Sequence, residues 1–199
     1  MTVPAINIGL TAKERENISK GLSRVLADSF LLYMKTHNYH WNVKGSMFQP
    51  LHDMFGEQYT EIWNALDDIA ERIRALGYNA PGTFGEYLSL GSIKEVKGEL
   101  NAEQMISDLL LGSEALSRLC REVLAIADNA SDDPTVDLLT ERTATHEKNA
   151  WMLRSMLDAA PARPAAAAKP AAAKPAAAAK PAAAKATAAK AAEKPKKKK

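Results

Sequence analysis

The chain has 199 residues, of which 46% are hydrophobic and 25% charged, a balance that fits a folded globular protein and argues against fibrous or wholly unstructured chains. The formal net charge of +2 conceals a division: residues 1–160 carry 15 Lys and Arg against 23 Asp and Glu, a balance of −8, whereas residues 161–199 carry 11 against one, a balance of +10. No run of about 18 apolar residues is present, so no membrane helix is expected, and the opening "MTVPAINIGLTAKERE" lacks the basic start and apolar run of a secretory leader. The single cysteine, Cys120, cannot form an intrachain disulfide; a reducing, bacterial-type cytoplasm and a small buried thiol are the expectation.

In chain order, the first predicted helix opens near Thr11, where Glu14 completes a capping box, and runs to about Tyr39 with Leu22, Leu26, Phe30 and Tyr33 on its apolar face. Asn42 to Gly45 read as a turn. The second helix covers about Gln49 to Leu76. Its stripe of Leu51, Phe55, Tyr59, Ile62, Leu66, Ile69, Ile73 and Leu76 steps by three or four throughout. Residues 77–101, with five glycines and a proline, read as a long crossover holding a small helix at "FGEYLSL". The third long helix spans about Ala102 to Asp128, with Met105, Leu109, Leu116, Leu119, Val123 and Ile126 as its stripe. The fourth begins at Pro134, a residue suited to a first helical turn, and carries Val136, Leu139, Thr143, His146, Ala150, Leu153 and Leu157. Two short connections and one long one point to an all-α four-helix bundle with a ferritin-type crossover.

Three imidazoles crowd the first turn. "KTHNYHWNVKG" places His37 and His40 three apart, and His52 follows twelve residues after His40. The second helix also carries Asp67 and Glu71, four apart and so on one face. Carboxylates bind hard cations and imidazole favours first-row metals such as iron, so this set is compatible with ferroxidase chemistry. It is equally compatible with exposed ion pairs from Asp67 and Glu71 to Arg72 or Arg74, and with a His37 that merely orients His40. His146, on an apolar stripe, reads as a satisfied core residue.

Helix geometry then imposes a condition. His52 and Asp67 lie fifteen residues apart on one helix, about 22 Å of rise, and cannot share an ion within one chain. An antiparallel copy of that helix across a two-fold axis near Thr60 would bring His52 of one chain beside Asp67 and Glu71 of the other, twice per dimer.

The stretch "KTHNYHWNVKGSMFQPLHDMF", followed by "LDDIAERIRALG" and later by "ERTATHEKNAWMLRSML", resembles the Dps family of DNA-binding mini-ferritins over roughly residues 10 to 158. The resemblance implies a hollow dodecamer with intersubunit ferroxidase sites, in which His40 and His52 of one subunit and Asp67 and Glu71 of its neighbour hold iron, with Trp41 beside them as a radical interceptor. It further implies oxidation of ferrous iron, preferably by hydrogen peroxide, storage of the ferric mineral, and protection of DNA during stress. The family usually has Asp or Glu four residues after the second histidine; here that residue is Gly56, and Glu57 is rotated about 100° away. A ligand is thus expected to be absent, with weaker iron binding or an inactive centre as the result. The family lines its three-fold pores near the start of the fourth helix, where Asp132, Asp133 and Asp137 stand. They fit an iron-admitting acidic funnel or an ordinary helix N-terminal preference for acids.

From Pro161 the chain becomes Lys, Ala and Pro, with a Lys-Pro step every five or six residues. Regular prolines block helix propagation and, proline apart, no apolar side chain larger than alanine is available for burial, so a disordered tail is expected over 161–199, after an N-terminal extension (1–10) and a bundle domain (11–160). Lys169, Lys174, Lys180, Lys185, Lys190, Lys194, Lys196, Lys197, Lys198 and Lys199 resemble a linker-histone tail. They are expected to bind double-stranded DNA without sequence preference, to condense it through several tails per oligomer, and to place the protein at the nucleoid. The alternative function is a nucleoid architectural protein whose oligomeric body presents tails and has weak or lost ferroxidase activity.

Overall fold

The computed structural model describes residues 5–157, and every regular element among them is helical. The tail segment 161–199 and its ten lysines lie outside the described residues.

Helix α1 (Ala12–Asn42) starts at the anticipated capping box, with the Thr11 hydroxyl accepting from the Glu14 N–H and the Glu14 carboxylate accepting from the Thr11 N–H. Val43, buried at its end, and Gly45, whose φ of 108° no residue with a Cβ adopts without strain, reverse the chain into α2 (Phe48–Ala75). Leu51, Phe55, Ile62, Leu66, Ile69 and Ile73 of α2 are buried as the periodicity requires, while Tyr59 is only half-buried and Gln58 is buried beside it.

The crossover contains α3 (Phe84–Leu90), the anticipated "FGEYLSL" helix, capped by Thr83 and Glu86. It rests on α1 through Phe30, whose ring stacks on Tyr87 at 4.4 Å. The strand-like exit from α3 is fixed by Asp28, a buried carboxylate of α1 that accepts from the Ser92 N–H (2.6 Å), the Ser92 hydroxyl (2.7 Å) and the Ile93 N–H (2.9 Å). The buried Ile93 N–H, which would otherwise lack a partner, is thereby satisfied, and the exposed Ser92 is held beside it.

Helix α4 (Ala102–Asn129) opens on a capping box of Asn101 and Gln104. Ile126, assigned to its stripe from the sequence, is 40% exposed, and Ala127 occupies the buried position instead. After Val123 the stripe steps by four rather than three, which keeps it facing α1 and α5 as a 3.6-residue period drifts. Helix α5 (Asp133–Met156) has Pro134 in its first turn and buries Leu139, Thr143, His146, Ala150 and Leu153.

Helix α1 packs against α2 and α4, and α4 against α5, giving the expected four-helix bundle with its long crossover. Close approach of α1 and α4 depends on two glycines: a Cβ on Gly21 would lie 2.7 Å from Val123 Cγ1, and one on Gly112 would lie 2.7 Å from Leu32 Cδ1. Polar ties cross the bundle. Arg72 of α2 bonds Asp132 and Thr135 at the start of α5, and Arg142 of α5 pairs with Glu61 of α2. Cys120 is buried as expected, and burial pushes its thiol up to about 12. His146 is buried too, but it is not the satisfied residue anticipated: its Nδ1 has no hydrogen-bond partner among the described residues. Burial, reinforced by the nearby Arg142 cation, depresses its pKa to about 3, so it stays neutral.

Candidate metal centre

The turn between α1 and α2 sets His40 and His52 face to face. Their rings stack with centroids 3.7 Å apart and planes 21° from parallel. Each Nδ1 bonds the main-chain carbonyl of the other residue: His40 Nδ1 to His52 O at 2.7 Å, and His52 Nδ1 to His40 O at 2.9 Å. The His40 carbonyl lies in the last turn of α1, where carbonyls have no helical N–H partner, which frees it to accept from the ring.

These reciprocal bonds decide the chemistry. A carbonyl only accepts, so both Nδ1 atoms carry hydrogen, and in the neutral imidazole both Nε2 atoms are left with a free lone pair. Fixing one ring nitrogen to a backbone acceptor while the other awaits a cation is how metal-binding histidines are oriented. The two rings therefore form a preset pair of nitrogen donors, half-buried at one end of the bundle.

An aromatic shell surrounds them. Tyr59 meets His40 edge-on at 5.2 Å, and His37 stacks on Tyr59 at 3.9 Å with an 18° tilt. Trp41 lies 4.0 Å from His37 and is 59% exposed. His37 Nδ1 is 3.2 Å from the Tyr33 hydroxyl, and desolvation followed by the proximity of His40 lowers the His37 pKa below its usual value. His37 is thus engaged with Tyr33 rather than hydrogen-bonded to His40. Tyr59 was not anticipated in the site. Its position seven residues after His52, two turns along the same face, is the sequence signal that could have found it.

Gly56 faces the pair. A Cβ there would stand 3.3 Å from His40 Cε1 and 3.4 Å from His40 Nδ1, so a carboxylate grown from this position would border the His40 ring. Glu57, one residue on, is exposed.

Asp67 and Glu71 lie farther down α2, both exposed, and neither forms an ion pair or hydrogen bond among the described residues. The arginines that competed for them are otherwise engaged: Arg72 with Asp132, and Arg74 with the Tyr78 carbonyl and Asn79. Within one chain the structure does not bring Asp67 or Glu71 to the histidines. Among the described residues, no three of His, Cys, Asp and Glu converge on one point. The acids at the start of α5 also separate. Asp132 is buried, 2.5 Å from Arg72 Nη2 and 2.6 Å from the Thr135 hydroxyl, whereas Asp133 and Asp137 face solvent. Among the described residues no helix is long and apolar enough to cross a membrane.

Comparison with known proteins agrees with this fold. The ferritin-like domain family matches residues 19–162. The "DNA protection during starvation protein 2" of Bacillus anthracis is 40% identical over 137 residues, 69% of this chain and 94% of that protein. A low temperature-induced protein of Nostoc is 40% identical over 164 residues, 81% of this chain and 92% of its own. Among solved structures, the Dps protein of Vibrio cholerae, described as a ferritin-like diiron-carboxylate protein, aligns with a TM-score of 0.73 at 31% identity, covering 78% of this chain and 98% of that one. A helical bundle of this connectivity, matched along nearly the full length of such relatives, means that the chain belongs to the Dps group of the ferritin-like family.

Proposed function

We propose that this protein oxidises ferrous iron and retains the ferric product inside a hollow homo-oligomer, twelve-membered by the family resemblance, and that its basic tail holds DNA against the shell. The observation that carries the reading is the stacked pair of His40 and His52, whose Nδ1 atoms are tied to carbonyls and whose Nε2 atoms are free. Iron is the substrate. His40 and His52 hold it through Nε2, and the partner subunit's Asp67 and Glu71 supply the anionic oxygens that a lone imidazole pair lacks, since these carboxylates are exposed and unengaged. Pairing two nitrogens with two carboxylates balances the charge of a divalent ion and favours the ferric product still more. Hydrogen peroxide is the proposed oxidant. Asp133 and Asp137 remain available to draw cations to the shell, while Asp132 is neutralised by Arg72.

The test mixes the assembled protein anaerobically with ferrous ion, adds peroxide and follows ferric absorbance. Wild type should accelerate oxidation over buffer, and His52→Ala should abolish the acceleration without changing the helical spectrum. Equal rates with and without protein would favour a second reading, in which the body only presents tails to DNA. Gly56, which borders the His40 ring and offers no carboxylate where the family resemblance implies one, is the observation behind that second reading.

For the tail, ten lysines and Arg163 against Glu193 make binding to duplex DNA electrostatic. The affinity should fall with salt at a log–log slope of about −0.9 per phosphate neutralised. Removing residues 161–199 should abolish DNA retention, because the remaining body is acidic; unchanged retention would refute the assignment.

A further inference from the structure

We propose that the hollow at Gly56 is the seat of the partner subunit's Trp63, so that two copies of α2 lock knob into hole and each indole covers the His40 ring of the other chain. The inference takes its symmetry axis from the shared-site reading above and goes beyond it, to the residue that closes the site.

Three observations converge. First, Gly56 opens onto an imidazole. Its own helix turn and chain neighbours apart, a Cβ added there would find within 4 Å only His40 Cε1, at 3.3 Å, and His40 Nδ1, at 3.4 Å, among the described residues. The hollow is thus floored by an aromatic ring, and no other side chain of the chain fills it.

Second, the same face of α2 carries an unused knob. His52, Gly56, Tyr59, Trp63 and Asp67 step by three or four and so share one face. Trp63 is 53% exposed; among the described residues it is the one large apolar side chain of α2 beyond the first turn left so open. Tyr33 of α1 braces one side of the indole, at 5.1 Å with 43° between the ring planes, so the knob projects from a fixed base.

Third, symmetry pairs the two. A two-fold axis that brings His52 to the partner subunit's Asp67 passes midway between positions 52 and 67, and positions 56 and 63 have the same midpoint. Antiparallel copies of α2 therefore set the smallest residue of the face opposite the largest, twice. Helices packed about 8–10 Å apart leave no room for an indole against another long side chain, but they do leave room for one against a glycine. Between Gly56 and Trp63 this face carries Tyr59 and no charged side chain, while Asp67 and Glu71 lie toward its end. An apolar centre with a polar rim is the anatomy of a specific interface, and tryptophan is the residue type most enriched at the anchoring points of such interfaces. The indole then takes the volume where the family resemblance implies a carboxylate, excluding water from the His40 ring without adding negative charge. Trp63 is on this account a positioning residue that never touches the metal.

Paired cysteines test the contact in the full-length assembled protein. Positions 56 and 63 of one helix are about 10 Å apart in rise, too far for a disulfide within a chain, and in the proposed pairing neither position faces its own copy. Gly56→Cys/Trp63→Cys should therefore give covalent dimers on mild oxidation, at least tenfold more than either single variant, with Cys120 buried in all three. An assembled double variant that runs as a monomer on a non-reducing gel overturns the inference. Exchange of volume tests the fit. Gly56→Leu should weaken subunit association at least tenfold in sedimentation, with the helical spectrum unchanged, and Gly56→Leu/Trp63→Ala should recover most of that loss because the leucine then occupies the place of the indole. Association of Gly56→Leu equal to wild type, or a double variant no better than Gly56→Leu, also overturns it. The metal-centre reading fails separately, by the absence of accelerated ferrous oxidation in wild type, and a 56–63 cross-link would stand in spite of that failure.

Discussion

Replacing Arg72 with Met should be among the most damaging single changes in the bundle. Its guanidinium bonds Asp132 Oδ1 at 2.5 Å and Thr135 Oγ1 at 2.8 Å, and that hydroxyl in turn donates to Asp132 Oδ2 at 2.6 Å. The side chains are 17% and 1% exposed for Arg72 and Asp132, so the pair is shielded from solvent. Arg72→Met leaves Asp132 as a buried charge with only a hydroxyl for company, a change that costs about 3–5 kcal/mol. In a domain of this size that corresponds to a melting temperature lower by roughly 6–20 °C. Urea titration at fixed subunit concentration, which keeps assembly constant, measures the loss. The double variant Arg72→Met/Asp132→Asn removes the stranded charge but keeps an acceptor for Thr135, and it should recover at least half of the loss. A single-variant cost below about 1 kcal/mol, or a double variant no better than the single, would refute the claim that this triad pins α5 to α2.

Three further outcomes follow from buried groups. His146 titrates near 3 when folded and about 6.5 when unfolded, so the unfolded chain binds more protons between those values. Stability should therefore be present above about pH 6.5 and drain away as the pH falls, by about 2 kcal/mol at pH 5, and His146→Leu should lack this component in paired denaturation curves. Gly21→Ala should destabilise by roughly 1–3 kcal/mol despite alanine's better helix propensity, because its Cβ meets Val123 at 2.7 Å; a gain in melting temperature would contradict the close α1–α4 approach. Asp28→Ala should cost roughly 1–3 kcal/mol for the buried Ile93 N–H it strands, with faster amide hydrogen exchange at Ser92 and Ile93.

The bundle was legible because its signals are local. Capping boxes at Thr11 and the stepping of apolar residues through α2 are written within a few residues of one another, and even the seven-residue α3 announced itself in "FGEYLSL". Misplacement occurred where period and neighbours compete: Ile126 is more apolar than Ala127, but packing geometry put the smaller residue inside. The candidate site was half legible. Residue types and spacing singled out the histidines, the family resemblance singled out Gly56, and the structure groups His40, His52 and Gly56. The carbonyl bonds that set both tautomers involve main-chain atoms, which no side-chain pattern reveals. Arg72 illustrates the opposite limit. It stands one residue after Glu71 and five after Asp67, yet its partner is sixty residues away, since a helix face chooses among all the elements packed on it.

The mutual clasp between the two imidazoles makes the α1–α2 corner a single mechanical unit. Truncating either histidine releases the other ring's anchor as well as its own donor, so losses at the two positions should not add: the second removal finds little left to disturb. A cation captured there would in the same act tighten the corner through which the chain reverses, so that occupancy and the resistance of that corner to local opening rise together.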